Sequence, residues 1–163
     1  MKHTAFALTL SAVLLMQACS TDSTDSPRMA NQAIDPEGLL KLPGFHQVMT
    51  STASKTIYIA GQVAYDRDMT LVGVGDYRAQ TIQALQNVAI AVRAAGAEPE
   101  DIVSSTLHIR GLNTEGAAQA IMEGMAVALD GKPFPAHAFS MIGVETLADP
   151  RILIEISAVA QAF

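Results

Sequence analysis

The sequence predicts a mixed α/β domain of the α+β type, with two helices on one face of a sheet in the order β-β-α-β-α-β-β. Three observations carry this. Apolar residues recur at helical spacing in Tyr77–Ala95 and Glu115–Leu129. Short β-branched runs bounded by Gly, Pro and Asp lie between and around them. In the last segment Ile152, Ile154, Ile156, Ala158 and Ala160 alternate with Leu153, Glu155, Ser157 and Val159, the period of a strand.

The elements follow in chain order. Lys2 and His3 precede an apolar stretch from Ala5 to Met16, broken by Thr9 and Ser11. It is too short to span a bilayer and matches the apolar region of a secretory signal. It ends at Gln17-Ala18-Cys19, and Cys19 is the only cysteine. A small residue before a lone cysteine at this place is the pattern of a bacterial lipoprotein signal, although Met16 and Gln17 depart from the usual box. The alternative is an ordinary secretory signal with an incidental cysteine. Ser20 to Pro27 is a polar run that can bury nothing. The expected division is a signal peptide at 1–18, a tether at 19–35 that is lipidated at Cys19, and a folded domain at 36–163. Such a protein would be exported and periplasmic, touching a membrane only through the lipid. Ser20, where an Asp would signal retention, favours the outer membrane.

A first strand is expected near Phe45–Thr50 and a second at Thr56–Ala60, stopped by Gly61. In the first helix Ile82, Leu85, Val88, Ala89 and Val92 form the apolar face, and Gln80, Gln83, Gln86, Asn87 and Arg93 occupy much of the rest. Asp76 is placed to cap it and Gly96 to stop it. Ile102–Arg110 is the third strand. The second helix should be capped by Thr114 and ended by Asp130-Gly131, with Ala118, Ile121, Met122, Met125 and Leu129 inward. His137–Val144 and Ile152–Ala160 complete the sheet. The second face of the last strand is half apolar with a carboxylate at its centre. Burial against another subunit would put Glu155 at a subunit boundary; the plainer alternative is a solvent-facing glutamate.

Charge and composition exclude several functions. The formal net charge is −6 and no basic run exists, which disfavours phosphate neutralisation and hence nucleic-acid binding. Tryptophan is absent and aromatics are sparse, so no stacking platform is expected. One cysteine cannot form an intramolecular disulfide. The histidines are too scattered for a metal site, and no phosphate loop is present. Asp66-Arg67-Asp68 and Gly73-Val74-Gly75-Asp76 read as loop chemistry.

Five segments in register resemble one family. They are Ile57-Tyr58-Ile59-Ala60-Gly61-Gln62-Val63, the helix from Ala79 to Val88, Ala94-Ala95-Gly96-Ala97 before Asp101-Ile102-Val103, Phe134-Pro135-Ala136, and Ile154 to Ala160. Together they resemble the RidA/YjgF family of reactive-intermediate deaminases from about residue 44 to the end. The resemblance implies a chorismate-mutase-like fold, a homotrimer, and clefts between subunits that bind small metabolites. Members with the full site hydrolyse enamines and imines derived from amino acids, with no metal or organic cofactor. In them an arginine after Pro-Ala grips the substrate carboxylate, and a glutamate of the last strand positions water.

Carried onto this chain, the glutamate is Glu155 and the second-strand glycine is Gly61. The arginine is replaced by His137, and Phe45 stands where many relatives have tyrosine. The hydroxyl or thiol two residues past the arginine is Phe139 here, beside Ser140. Glu155 and His137 are the candidate catalytic pair; Phe45, Gly61, Gln119, Phe139 and Ser140 are the candidate substrate contacts. Arginine is a permanent bidentate partner for carboxylate, whereas imidazole is mostly neutral near pH 7. Loss of that anchor should cost on the order of 2–5 kcal/mol if the pair was desolvated. The expected function is therefore small-metabolite binding at trimer interfaces, without the family's usual 2-imino acid deamination. The alternative is a divergent enamine or imine hydrolase using Glu155 and His137. An interaction module without a small-molecule role is a third reading, disfavoured by the retained Glu155 and Gly61. Arg110, Arg151 and His46 are lesser candidates at the ends of strands.

Overall fold

The computed structural model describes residues 31–163. The expected signal segment, Cys19 and most of the tether lie outside the described residues. The main sheet has four strands in the order β3-β6-β4-β5, namely Lys55–Gln62 (β3), Ile154–Ala162 (β6), Ile102–Arg110 (β4) and Ala138–Val144 (β5). The two pairs involving β6 are antiparallel and β4–β5 is parallel, so the sheet is mixed as expected. Helices α1 (Tyr77–Ala94) and α2 (Ala117–Met125) cover one face.

The first strand departs from the expected form. Gln32–Ile34 (β1) and Val48–Thr50 (β2) make a separate antiparallel pair, register Ala33 opposite Met49. β1 falls in the segment assigned to the tether, so ordered structure begins before residue 36. Phe45 still reaches the main sheet through a parallel bridge to His137, and the His46 N–H donates to the His137 carbonyl at 3.0 Å. The β1–β2 unit is thereby docked on the β5 edge.

Along β6 the alternation is as read: Ile154, Ile156, Ala158 and Ala160 are buried beneath the helices, while Glu155, Ser157 and Val159 are half-buried on the open face. The strand starts two residues late because the Leu153 N–H donates to Gln80 Oε1 at 2.8 Å instead of to a neighbouring strand. Ile152 and Leu153 are both buried, and Ile152 joins a small cluster with Ala64 and Leu71.

Asp76 caps α1, its Oδ1 accepting from the Ala79 N–H at 3.0 Å. The inward face of α1 is Ala84, Leu85, Val88, Ala89 and Val92, with Thr81 and Gln80 buried beside them. Gln80 thus leaves the polar side to which the sequence pattern assigns it, drawn inward by backbone partners. The cap of α2 is Gly116, not Thr114, and its buried residues are Ala117, Ile121, Gly124 and Met125. Ala118 faces solvent, one residue out of phase with the expected stripe. The helix stops at Met125 because the Phe134 N–H returns to its carbonyl at 2.8 Å. Asp130 (φ 52°) and Gly131 (φ 83°) make the tight reversal between Leu129 and Lys132, a pair of left-handed residues suited to Asp-Gly.

Candidate functional site

The site is built where the Phe45 segment meets the start of β5. Phe45 lies edge-on to Phe139, ring centroids 5.1 Å apart. The His137 ring sits 5.7 Å from Phe139 and 5.8 Å from Phe134. Beside this cluster an apolar cavity of about 180 Å³ is bounded chiefly by Pro43, Gly44, Met122, Met125, Ala126 and Phe134. Its walls carry no charged side chain.

His137 is only 1% exposed, and both ring nitrogens are engaged. Nδ1 is 2.8 Å from the Pro135 carbonyl, which can only accept, so Nδ1 carries the proton. Nε2 is 2.7 Å from Ser105 Oγ and accepts the hydroxyl proton. Burial pushes the imidazole below its ordinary basicity, more than the Pro135 carbonyl raises it, and the nearby His46 lowers it further. The slot that the resemblance gives to a cationic anchor therefore holds a neutral imidazole with no free donor. Ser105, 32 residues away in sequence, is no part of the expected site.

Glu155 occupies a different place. It faces the open side of the sheet opposite His108 of β4, and its carboxylate lies against Gly61 at the end of β3. A Cβ added at Gly61 would come 1.9 Å from Glu155 Oε1 and 2.7 Å from its Cδ. The glycine thus leaves the volume that the glutamate fills. His108, for which the sequence gives no signal, is its cross-strand neighbour. The same face presents Tyr58 (81% exposed), Ile142, Thr106 and Ser157, half polar and half apolar as expected.

The structure does not bring Glu155 and His137 together within one chain. His137 precedes Ala138, which pairs with Ser104, whereas Glu155 pairs with His108. That separation is roughly 15 Å along the strands and two strand spacings, roughly 10 Å, across them. The other candidates divide as well. Phe45 and Phe139 pack with His137, and Gly61 packs with Glu155. Ser140 is exposed opposite Thr106. Gln119 is on the solvent side of α2, where its Nε2 donates to Glu123 Oε1 at 2.8 Å, away from the aromatic cluster. Arg110 donates from Nε to the Ile152 carbonyl at 3.2 Å, and Arg151 is paired with Asp149 at 2.6 Å, so both cations are committed to the loop before β6. That pairing holds the Asp149 carboxyl well below the usual range.

A mixed sheet under two helices, with a Gly–Glu contact on its open face and an aromatic cleft at the β5 edge, defines a small α+β domain of the YjgF type. The Endoribonuclease L-PSP family model matches residues 40–162. A RutC family protein of Pyrococcus horikoshii is 30% identical over 109 residues, covering 66% of this chain and 80% of its own length. The crystal structure of YyfB from Yersinia pestis, a protein of the conserved Rid family, is 35% identical with a TM-score of 0.71, covering 82% of this chain and 99% of that one. A member of the YjgF/YER057c/UK114 family from Mycobacterium tuberculosis shares the fold at 24% identity and a TM-score of 0.53, over 82% of this chain and all of that one. The chain belongs to the RidA/YjgF family.

Proposed function

We propose that this is an exported Rid protein that holds a small metabolite in clefts between copies of the chain, and that it does not deaminate 2-imino acids in the family's usual way. The observation that carries the proposal is His137. A ligand carboxylate at this position would meet a neutral imidazole whose only N–H is already given to Pro135. The adjoining cavity is apolar, which suits a ligand whose reactive group is uncharged. Removing a carboxylate from water without a paired cation is strongly unfavourable.

Three further parts belong to the same reading. The open face around Tyr58, Ile142 and Glu155 would be covered by two further copies, giving a trimer. Cys19 would carry the lipid that tethers it in the periplasm, on the outer membrane. RNA would not be a substrate, because the sequence has a net charge of −6 and no basic run to neutralise a phosphate backbone.

A second reading is favoured by the position of Glu155. Its carboxylate stands at the centre of the open face, where a second copy would meet it, and His137 of that copy would have to release Ser105 or Pro135 to join it. In that arrangement the two would act on an imine as an intersubunit acid–base pair, which neither could form within one chain.

Thermal unfolding with pyruvate, the 2-oxo acid corresponding to the simplest substrate, tests the main proposal. Wild type should melt unchanged. His137→Arg should be stabilised, by about 2.7 kcal/mol at a pyruvate concentration 100 times its dissociation constant. Equal stabilisation of wild type would show that the cleft accepts carboxylates without the arginine.

A further inference from the structure

The unit formed by β1 and β2 carries an apolar surface that the rest of the fold leaves uncovered. Eleven large apolar side chains are exposed among the described residues, and five of them, Ile34, Leu39, Leu40, Leu42 and Val48, fall between positions 34 and 48. These five are 39–67% exposed, so the exposure is concentrated in one short stretch and is not the scatter of single residues common on protein surfaces. Ile34 and Val48 are cross-strand partners at the loop end of the β1–β2 ribbon. The three leucines lie in the loop that joins the two strands.

Hydrogen bonds, not apolar packing, give this loop its shape. It turns at Gly38 (φ 87°) and Gly44 (φ 77°), on either side of the leucines. Its ends are joined at Asp35: His46 Nδ1 donates to Oδ2 at 2.9 Å, and the Gln47 N–H donates to Oδ1 at 2.9 Å. Gln47 Nε2 donates to the Leu40 carbonyl at 2.8 Å, which fixes the middle of the loop. A loop held in this way presents Leu39, Leu40 and Leu42 outward without needing them for its own stability.

The N-terminal chain enters the domain beside this loop. Asn31 Nδ2 donates to the Gln161 carbonyl at 3.1 Å and the Asp101 carbonyl at 3.3 Å, holding the chain where β6 ends and β4 begins. β5 starts at the same end of the sheet, and there the His46 N–H meets the His137 carbonyl. β1 has only three residues, so Asn31 and the loop stand roughly 10 Å apart. Eleven residues, 20–30, separate Cys19 from Asn31, and a chain of that length reaches at most roughly 40 Å. A lipid on Cys19 would therefore hold this unit, before any other part of the domain, close to a bilayer.

We propose that loop 38–42 docks on a lipid surface, with Leu39, Leu40 and Leu42 entering the boundary between headgroups and acyl chains and Ile34 and Val48 resting on it. The inference rests on the reading of Cys19 as a lipid anchor. Interfacial binding grows with the apolar area buried. Lys41, exposed among the leucines, can lay its stem along that boundary with its ammonium among the headgroups, whereas lysine is depleted in the cores of protein interfaces. Exposed Glu37 offsets its charge, so docking depends on apolar area and not on anionic lipid. The cavity bounded by Pro43 and Gly44 adjoins the loop, and docking brings it to the lipid surface, where uncharged apolar compounds concentrate.

Tryptophan is absent from the chain, so one introduced residue reports its surroundings without background. The full chain with Leu40→Trp, made with its own signal segment in a bacterial host, is reconstituted into phosphatidylcholine vesicles with or without bromine on the acyl chains. Ile90→Trp, exposed on α1 over β3 and β6, controls for proximity alone. Leu40→Trp should lose most of its emission in brominated vesicles and emit to the blue in plain ones, at low and high salt alike. Ile90→Trp should be unchanged. Adding Leu39→Ser and Leu42→Ser to Leu40→Trp should abolish the quenching while the circular dichroism stays that of the parent.

Absence of quenching in Leu40→Trp, or equal quenching in Ile90→Trp, would overturn the proposal. So would a blue-shifted Leu40→Trp that bromine does not quench, because a second copy of the chain would then cover the loop. Mass spectrometry of the same preparation reads the anchor separately. No acyl group on Cys19 would overturn the anchor reading, and quenching of that protein on vesicles would still decide whether the loop docks.

Discussion

Glu155 fills the volume that any side chain at position 61 would need: a Cβ on Gly61 would stand 1.9 Å from Glu155 Oε1 and 2.9 Å from its Cγ. The two residues lie on adjacent strands, where β3 breaks register between Ile59 and Gln62. The glutamate's position on the open face is therefore set by a missing side chain, and the two positions should behave as one unit.

Gly61→Ala should lower stability by about 1–2 kcal/mol, because most of the Glu155 side chain must move. Combined with Glu155→Ala, the cost should fall well below the sum of the single effects, since the obstructing groups are then gone. Urea denaturation of the four proteins of this cycle measures it. Additive losses would mean that the contact does not constrain Glu155.

His137 should make stability depend on pH in a defined window. Its folded-state pKa lies below the ordinary value of 6.5, with burial as the main cause. The unfolded chain therefore binds a proton before the folded one does. Stability is complete above about pH 6.5 and falls as pH drops toward the folded value, by at most about 1.4 kcal/mol per pH unit. Denaturation curves between about pH 7.5 and about pH 5 should show this slope, and His137→Asn should flatten it. The Asp35 carboxyl, held low by the Gln47 N–H and then by His46, affects the slope only at more acid pH: its stabilising share is fully present above its ordinary value of 3.8 and is lost as the pH falls below that.

Gln80 is the buried polar residue on which the β6 entrance depends. It is 0% exposed, donates to the Gly73 and Arg151 carbonyls at 3.0 Å each, and accepts the Leu153 N–H at 2.8 Å. Gln80→Ala would leave three backbone groups without partners, at a cost of about 3 kcal/mol or more. Gln80→Glu should be worse at neutral pH, because its carboxylate would face two carbonyl oxygens. Thermal unfolding of both variants gives the comparison.

The contrast between Gln80 and the rest of α1 shows what was legible in the sequence. The helix, its Asp76 cap and the alternation of β6 are local patterns, so a period of 3.6 or 2 is enough to find them. Gln80 lies among other polar residues and looks solvated; its three partners come from loops 7, 71 and 73 residues away. β1 has only three residues, all exposed, and no apolar pattern could mark it off from a tether.

The placement of the candidate site residues was legible only in part. Family resemblance marks both Gly61 and Glu155, and their contact across adjoining strands explains why they occur together. The resemblance also places His137 in the anchor position, but residue type alone could not reveal that the ring is buried on Ser105. Nor could it reveal that Asp35, read as linker, reaches His46. Gln119 lies apart from the aromatic cluster because its helix turns it to solvent, where Glu123 one turn on takes its donor.

The most direct test of the central claim is ammonia release from freshly generated 2-iminopropionate by wild type, His137→Arg and Glu155→Ala. The expected result is that wild type does not exceed the uncatalysed rate and that His137→Arg gains activity, marking a family cleft that lacks only its carboxylate anchor. Ammonia release by wild type, abolished in Glu155→Ala, would contradict the claim and return the protein to 2-imino acid deamination without the arginine.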